Sequence, residues 1–262
     1  MTGVTSTAAP LLELDTVTVV YPNNPSTPIL NGFSLTVESE AFLAVVGSSG
    51  CGKSTLLHST AGFLRPIKGS IRLKGEPITE PGVDIGFVGQ RYALFPWLTV
   101  EDNVAFGLRS LRRPEAEIRE SVGHLLDVVG LNAYKRYYPE QLSGGMQQRA
   151  ALARAMAPNP SLLLLDEPFS ALDPQTRRKM RELLLRLWAG RSTTIIFVTH
   201  DIEEALLLAD KVLILTNGIG RGHTIDVPFS RPRPPDLEYS PSFRELSDGI
   251  SREFGHFGHS AA

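Results

Sequence analysis

Gly47-Ser48-Ser49-Gly50-Cys51-Gly52-Lys53-Ser54 is the most informative segment of this 262-residue chain. It fits the Gly-x-x-x-x-Gly-Lys-Ser/Thr pattern of a phosphate-binding loop, whose glycines let successive backbone N–H groups face phosphates. The apolar run 42–46 predicts a strand before it, and residues 55–62 predict a helix after it. Lys53 would neutralise the β- and γ-phosphates, and the Ser54 hydroxyl would bind Mg²⁺. The sequence therefore predicts a nucleotide site.

A second candidate element is an apolar strand at 162–165 that ends in two acids, Asp166 and Glu167. At the carboxyl end of a strand beside a phosphate loop, Asp166 would hold Mg²⁺. Glu167 would then polarise the attacking water. Without the upstream phosphate loop, the same pair would be interpreted as an ordinary acidic connection between a strand and a loop.

The composition restricts the class of protein. The chain has 26 Lys and Arg residues against 28 Asp and Glu, a formal charge of −2, so no global basic field favours nucleic acid as a partner. Its one cysteine excludes a disulfide framework and fits a reducing compartment. No apolar run approaches the roughly 20 residues that cross a bilayer, and residues 1–10 lack the features of a secretory signal. We expect a soluble intracellular protein that reaches a membrane only through a partner.

Alternating strands and helices predict an α/β protein with a mostly parallel sheet. Residues 91–160 are interpreted as a helical insert, residues 1–10 as a flexible N-terminus, and residues 227–262 as a Pro-rich segment with a short C-terminal helix. The sequence Asn217-Gly218 is a hairpin signal after a strand at 212–215. The other predicted strands are 12–21, 35–46, 69–73, 84–89 and 194–198, and the other helices 115–129, 145–157, 174–188 and 201–209.

The segment Leu142-Ser143-Gly144-Gly145-Met146-Gln147-Gln148-Arg149 opens an alanine-rich helix. Ser143 suits the N-cap position, and the two glycines leave the N-terminal amides uncovered, which favours an anion. From the residues alone, a capped helix with a flexible entry is an equally good interpretation.

Taken together, these motifs resemble the nucleotide-binding subunits of ABC transporters over residues 11–226. The order and spacing of that family are matched by the phosphate loop, Gln90, the Leu-Ser-Gly-Gly element, Asp166-Glu167, Ser170-Ala171-Leu172-Asp173 and Thr199-His200-Asp201. The Leu-Ser-Gly-Gly element is specific to ABC ATPases, whereas many NTPases share the phosphate loop. The resemblance implies a P-loop NTPase core with a mostly parallel sheet, N-terminal antiparallel strands and an inserted helical subdomain.

The resemblance also implies a site for ATP and Mg²⁺. The phosphate-binding residues would be Gly47, Ser48, Ser49, Gly50, Cys51, Gly52, Lys53, Ser54 and Thr55. Tyr21 would stack on adenine, unless it is only a core aromatic at a strand end. Gln90 would sense Mg²⁺ and the water, although a plain polar residue is the alternative. His200 would contact the γ-phosphate and orient Glu167, with a purely structural histidine as the alternative.

By the same resemblance, two identical chains would sandwich ATP and create two composite sites by isologous pairing. The phosphates held by one chain would be covered by Ser143, Gly144, Gly145 and Gln147 of the other. Asp173 would lie at this interface, unless it is merely the N-cap of a helix beginning at Pro174. The chain departs from the family at Met146, where glutamine is usual and Gln147 could substitute, and at Gly89, where an aromatic is common. Neither position touches the phosphates, so we expect activity to survive.

The aromatic segment 92–108, which includes Phe95-Pro96-Trp97, is either core or a docking groove for a helix of a membrane permease. Together with Pro81-Gly82-Val83-Asp84, it is similar to importers of nitrate, taurine and aliphatic sulfonates. That similarity implies a peripheral subunit on the cytoplasmic face of the inner membrane. It would dock on the permease near Gln90 and Phe95–Trp97, and a separate binding protein would deliver the substrate.

Proteins with other functions would differ from this chain, some of them in the region between the phosphate loop and Leu142. ABC ATPases of DNA repair or chromosome structure carry coiled coils or zinc modules here, yet only 89 residues separate Gly52 from Leu142, without heptads or paired cysteines. A translation-factor ABC protein would carry two cassettes. The Leu-Ser-Gly-Gly element argues against an enzyme that phosphorylates a small molecule. Another class of ABC transporter, importing or exporting other solutes, remains the alternative.

Overall fold

The computed structural model describes residues 10–90, 93–216 and 221–258. The Asn217-Gly218 turn signal, Tyr92 and residues 1–9 of the predicted flexible N-terminus lie outside this description. The strands are β1 Pro10–Val19, β2 Leu30–Glu38, β3 Phe42–Gly47, β4 Lys68–Leu73, β5 Glu76–Pro77, β6 Ile85–Val88, β7 Leu162–Asp166, β8 Thr194–Val198, β9 Lys211–Thr216 and β10 Arg221–Asp226. The helices are α1 Lys53–Thr60, α2 Val100–Ser110, α3 Glu115–Val128, α4 Gly144–Met156, α5 Pro174–Trp188, α6 Ile202–Leu208 and α7 Pro241–Gly258.

The chain divides into two compact units. The first unit comprises Met1–Pro81 with His200–Ala262, and the second unit comprises Gly82–Thr199. The helical insert predicted at 91–160 therefore falls inside the second unit, together with three strands and α5. Within the described part of the chain, every helix is too short or too polar to cross a bilayer.

The first unit contains the antiparallel strands that the resemblance implied. β1 pairs antiparallel with both β2 and β4, and β4 pairs with β5. Alternate residues of β2, among them Phe33, Leu35 and Val37, are buried, as expected for a sheet with one covered face. A separate parallel pairing joins β3 to β9, and β10 continues antiparallel from β9. The sequence of β10 is polar and carries no strand signal of its own, so only the hairpin signal at Asn217-Gly218 indicated a strand after β9.

The C-terminal region of the first unit is anchored by arginines and one aromatic contact. After the Pro-rich crossing, Phe243 and Ile250 of α7 are buried, and the ring of Phe229 lies 5.8 Å from that of Phe243. Arg231 forms an ion pair of 2.8 Å with Asp210 and covers the ring of Phe42. These contacts tie the crossing to the body of the unit, and α7 packs against α6.

The second unit is built on three parallel strands, with β6 paired to β7 and β7 paired to β8. All five residues of β7 and of β8 are buried, which is typical of strands covered on both faces. Helix α4 packs against α2 and β6 and is rich in buried alanines, whose small side chains permit close approach.

Helix α2 is not predicted by the sequence, where its residues form part of the aromatic segment. Thr99 caps it by accepting a hydrogen bond from the Asp102 N–H. Val100, Val104 and Leu108 are buried, whereas Phe106 is 45% exposed. The segment therefore contains both core and exposed aromatic surface, and a docking role for the exposed part stays a prediction.

Gly86 marks the tightest packing of α4 on the sheet. A β-carbon there would lie 2.8 Å from the Ala155 carbonyl oxygen and 2.9 Å from a methyl of Leu163. We expect Gly86→Ala to destabilise the fold by about 1–3 kcal/mol through overpacking. The control is Gly123→Ala in α3, where nothing lies within 4 Å, and a gain of about 0.5–1 kcal/mol is expected. Thermal melting of both variants tests this, and an unchanged melting temperature for Gly86→Ala would contradict it.

Candidate nucleotide-binding and hydrolysis site

The phosphate loop of the first unit lies between β3 and α1 and depends on glycines at defined points. A β-carbon on Gly47 would lie 2.5 Å from the Leu215 carbonyl oxygen and 2.6 Å from the Cys51 sulfur. Gly50 and Gly52 have φ angles of +80° and +107°, in the left-handed region that glycine tolerates. Ser48, Ser49 and Gly50 are exposed, so the crest of the loop is open to a ligand.

Lys53 lies folded over this loop. Its Nζ donates hydrogen bonds to the carbonyls of Gly47 at 2.8 Å and Ser48 at 2.9 Å, and the residue is 7% exposed. The ammonium charge is thereby held beside the loop rather than extended into solvent. A fixed positive charge next to the N-terminus of a helix is an arrangement that favours phosphate groups.

Tyr21 lies next to the same helix. Its hydroxyl oxygen is 3.2 Å from the hydroxyl oxygen of Thr55, the last residue predicted to contact phosphate. The Tyr21 side chain is half-buried, and its backbone carbonyl accepts a hydrogen bond from the Asn24 N–H. The structure thus brings Tyr21 beside the phosphate-loop helix, while stacking of its ring on adenine stays a prediction.

Cys51 is buried beneath the loop, and this burial raises the pKa of its thiol above the ordinary value. Its sulfur occupies the space beside Gly47, where a β-carbon would collide with it. The thiol is therefore a neutral packing group under the loop. The predicted contact of Cys51 with phosphate can come only from its backbone N–H, since the side chain faces inward.

The carboxyl ends of the parallel strands in the second unit lie at one edge of the sheet. In the register of these strands, Val88 of β6 lies opposite Leu165, and Asp166 of β7 lies opposite Val198. Gln90 follows β6 by two residues and is exposed, whereas Asp166 is 5% exposed at the end of β7. The structure therefore places Gln90, Asp166 and Glu167 at the same edge.

Glu167 has a backbone that few non-glycine residues adopt. Its φ angle is +46°, and its N–H donates to the Val198 carbonyl at 3.0 Å. The Glu167 carbonyl accepts from both the N–H and the hydroxyl of Ser170, at 3.3 and 3.0 Å. The loop therefore turns sharply directly after the buried strand, and Glu167 is partly exposed there.

His200 and Asp201 follow β8 and belong to the first unit. His200 is exposed rather than buried in the core, and its contact with the γ-phosphate stays a prediction. Asp201 caps α6, because its side chain accepts a hydrogen bond from the Glu204 N–H at 3.0 Å.

The Leu-Ser-Gly-Gly element opens onto a cavity of about 1080 Å³ within the second unit. Ser143 is the N-cap of α4 and accepts from the Met146 N–H at 3.4 Å, as the sequence predicted. The cavity is lined by Ser143, Gly144, Gly145, Asp173, Thr176 and Lys179, among others. The first-turn amides of α4 thus face a space large enough for a ligand or a partner.

Gln147 is held within its own chain. Its side-chain amide donates to the carbonyls of Pro139 at 2.9 Å and Leu142 at 3.3 Å. Both amide hydrogens are thereby used to fix the segment that precedes Ser143. The idea that Gln147 replaces the polar contact missing at Met146 stays a prediction, and it would require this amide to change partners.

Asp173 is the N-cap of α5, where its carboxylate accepts from the Thr176 N–H at 3.0 Å. Hydrogen bonding to Thr176 lowers the pKa of the Asp173 carboxyl. The interpretation of Asp173 as a helix N-cap is therefore correct. Because Asp173 also lines the cavity beside Gly145, a position at an interface stays compatible with it.

The chemistry of the predicted metal ligands suits a hard cation. Ser54, Gln90 and Asp166 supply hydroxyl, amide and carboxylate oxygens, which Mg²⁺ prefers over nitrogen or sulfur. Among residues 10–90, 93–216 and 221–258, no three His, Cys, Asp or Glu side chains form a metal centre of their own. A magnesium ion that takes most of its ligands from phosphate and water needs no such cluster.

Phe95 and Trp97 belong to an aromatic platform on the second unit, defined here as Phe95, Trp97 and Phe106. The ring of Phe95 lies 5.5 Å from that of Trp97 and 4.5 Å from that of Phe106. Trp97 is 71% exposed. A neighbouring groove of about 260 Å³ is lined by Val83, Phe87, Phe95, Phe106, Arg154 and Pro158. A surface this apolar is typical of a protein interface.

Two residues for which no role was predicted hold this platform in place. Asn103 is fully buried, accepts from the Phe95 N–H at 2.8 Å, and donates to the carbonyls of Phe95, Leu98 and Thr99. Arg154 lies over the Phe95 ring at 5.2 Å and donates to the Ala93 carbonyl at 2.7 Å. A polar residue on the otherwise apolar, buried face of an amphipathic helix is the only signal that could have revealed Asn103.

Comparisons with known proteins identify the family to which the chain is similar. A family model described as ABC transporter matches residues 30–170. The nitrate import ATP-binding protein of Synechococcus elongatus is 41% identical over 256 residues, covering 94% of this chain and 93% of that protein. The taurine import ATP-binding protein of Chromobacterium violaceum is 48% identical over 221 residues, covering 84% of each chain.

The fold has a close counterpart among solved structures. The dimeric structure of an ATP-binding cassette in a post-hydrolysis state, bound to ADP and Pi, superposes with a TM-score of 0.73 at 30% identity. The match covers 84% of this chain and all of that one. It bears out the predicted fold class, including the P-loop core and the parallel and antiparallel strands. Since the family model spans more than half of the chain and the relatives span most of it, the chain belongs to the ABC transporter family, among its ATP-binding proteins.

Proposed function

We propose that this chain is the ATP-hydrolysing subunit of an importer that moves a small anion, of the nitrate, taurine or sulfonate kind, through a partner permease. The observation that carries the proposal is the presence in one chain of a phosphate loop with a pre-positioned lysine and a capped Leu-Ser-Gly-Gly helix that opens onto a large cavity. The nitrate and taurine relatives support the importer assignment.

In this proposal, the first unit binds the nucleotide. The backbone N–H groups between Gly47 and Thr55 hold the phosphates, and Lys53 exchanges its two carbonyl partners for phosphate oxygens. Tyr21 stacks on the adenine. The ligands of Mg²⁺ would be the Ser54 hydroxyl, the Gln90 amide oxygen and the Asp166 carboxylate, and the ion, when bound, neutralises charge that develops on the phosphates.

The hydrolytic step is assigned to residues that follow strands. Glu167 accepts a hydrogen bond from the attacking water and orients it toward the γ-phosphorus, while Gln90 and His200 position the water and the γ-phosphate. Catalysis of phosphoryl transfer depends mainly on such positioning and on electrostatic stabilisation. The turn at Glu167, fixed by Val198 and Ser170, supports this assignment because it limits how far the carboxylate can move.

The active form is proposed to be a homodimer. Ser143, Gly144, Gly145 and Gln147 of one chain cover the phosphates bound to the other, so that two equivalent sites form by isologous pairing. The cavity beside Ser143 supports this arrangement, since it leaves the first-turn amides of α4 accessible to a partner. The solved relative, which is dimeric and bound to ADP and Pi, supports it as well.

The permease is proposed to dock on the aromatic platform near Gln90. Phe95 is anchored by Asn103, whereas Trp97 projects into solvent, so the platform combines a fixed base with an exposed apolar edge. Docking there places the chain peripherally on the cytoplasmic face of the membrane. A substrate-binding protein contacts the permease and not this chain, so the transported anion need not touch any residue described above.

Lys53→Ala is expected to weaken ATP binding about 10- to 100-fold, because the loss of a charged hydrogen-bond donor costs about 1.5–3 kcal/mol. Isothermal titration calorimetry measures the affinity directly. Lys68→Ala is the matched control, since Lys68 is an exposed lysine on β4 of the same unit. Equal ATP affinities for wild type and Lys53→Ala would contradict the proposed contact.

Glu167→Gln is expected to retain ATP affinity, to lose about 100-fold or more in turnover, and to accumulate as an ATP-bound dimer. Steady-state phosphate release and sedimentation velocity with ATP provide the two readouts. Glu120→Gln is the control for the loss of one carboxylate, because Glu120 is an exposed glutamate of α3. Wild-type turnover by Glu167→Gln would remove Glu167 from the hydrolytic step.

The double variant Phe95→Asp, Trp97→Asp is expected to abolish transport and the co-purification of a multi-span membrane protein, with ATP affinity unchanged. Charged side chains on the platform cannot be buried against an apolar helix without a large desolvation cost. Tyr239→Asp is the control, because Tyr239 lies outside the platform and is 64% exposed. If transport and co-purification persist in the double variant, the docking site lies elsewhere.

A further inference from the structure

Gln148 is a buried amide that the proposed mechanism does not use. It lies in the first half of α4, is 0% exposed, and is followed by the buried residues Ala150, Ala151, Leu152 and Ala153. Its Nε2 donates a hydrogen bond to the carbonyl of Pro168, the residue directly after Glu167. Among the described residues, its Oε1 has no hydrogen-bond partner.

The backbone at Glu167 and Pro168 needs restraint from its surroundings. A proline disfavours helical backbone at the residue before it and pushes that residue toward extended conformations with negative φ. Glu167 nevertheless has a φ of +46°. Strained backbone of this kind persists only where the surroundings hold it. Val198 and Ser170 hold the N–H and the carbonyl of Glu167, whereas Gln148 holds the next carbonyl along the chain, that of Pro168.

A role in packing alone does not account for Gln148. A leucine or methionine would fill a similar volume in this apolar environment without leaving a buried acceptor unpaired, which is unfavourable. The unfavourable burial of the unpaired Oε1 is explained if the Nε2 donor is needed to hold the Pro168 carbonyl. The amide orientation follows from the same contact, since an oxygen in place of Nε2 would face the Pro168 carbonyl with no proton between them.

We propose that Gln148 is a positioning residue for hydrolysis. It holds the Pro168 carbonyl, fixes the Pro168-Phe169 peptide one residue beyond Glu167, and joins the helix that begins after Ser143 to the loop that carries the glutamate. When Ser143 and Gly145 contact nucleotide, a movement of α4 is then transmitted to the Glu167 backbone. The inference rests on the proposed role of Glu167 and adds the residue that connects it to the Leu-Ser-Gly-Gly helix.

The test is Gln148→Met in the full chain, because methionine retains the length of the side chain and removes the donor. We expect kcat for ATP hydrolysis to fall about 10-fold or more, while the KM for ATP changes less than about twofold. The kcat is expressed per subunit competent to bind ATP, titrated by calorimetry, so partial unfolding cannot imitate the effect. Gln148→Asn, whose amide is too short to reach Pro168, is expected to lose kcat in the same way.

Leu152→Ala is the matched control, since it removes buried volume from the same helix and removes no hydrogen-bond donor. It is expected to lower the melting temperature and to leave kcat per competent subunit within about twofold of wild type. If Leu152→Ala lowers kcat as much as Gln148→Met does, general packing of α4 explains the effect and the proposal is overturned. The proposal is also overturned if Gln148→Met and Gln148→Asn both retain wild-type kcat.

A double variant separates this inference from the function it rests on. Glu167→Gln with Gln148→Met is expected to form the ATP-dependent dimer as readily as Glu167→Gln alone, measured by sedimentation velocity. Loss of that dimer would mean that Gln148 supports the Leu-Ser-Gly-Gly element rather than Glu167, which overturns the inference. Wild-type turnover by Glu167→Gln alone would instead refute the proposed function, whatever Gln148→Met does.

Discussion

The phosphate loop depends on the missing β-carbon of Gly47. This residue ends β3 opposite Leu215 of β9, and a β-carbon there would lie 2.5 Å from the Leu215 carbonyl oxygen. Only glycine lets the strand complete its pairing and turn at the same residue. The turn brings Lys53 back within hydrogen-bond distance of the Gly47 and Ser48 carbonyls. The charge that attracts phosphate is therefore positioned by a steric constraint earlier in the loop.

In the second unit, strand register has the same organising effect. Parallel pairing of three strands brings their carboxyl ends to one edge, whatever side chains follow them. The buried, apolar sequence of β7 fixes its depth in the sheet, so Asp166 emerges at a defined point and Glu167 directly beyond it. Functional side chains at the carboxyl ends of parallel strands are the general arrangement in open α/β sheets.

The sequence predicted elements with local signals and missed those without them. The helix predicted at 174–188 has those bounds, since Asp173 and Pro174 mark its start and its apolar spacing is regular. Helix α2 was missed because its aromatic neighbours obscured the periodicity, and β10 was indicated only by the hairpin signal before it because Arg221–Asp226 is polar. Cap interactions at Ser143 and Asp173 were foreseen, since each involves residues three positions apart. The Gln148–Pro168 contact spans 20 residues and could not be foreseen.

Two buried side-chain amides restrain the two loops to which a function is proposed, the loop that carries Phe95 and the loop that carries Glu167. Asn103 holds the segment 95–99 through four hydrogen bonds, and Gln148 holds the Pro168 carbonyl, one residue beyond Glu167. Each loop also contains a non-glycine residue with positive φ, Ala93 at 44° and Glu167 at 46°. Strained backbone needs restraint from outside the loop. A buried amide supplies this restraint, because breaking its hydrogen bond to the loop would leave a buried polar group unpaired. The proposed permease contact and the proposed hydrolytic glutamate thus lie on loops that the helices α2 and α4 hold in place. Those helices pack on each other, so a displacement of one loop is opposed by the core that restrains the other.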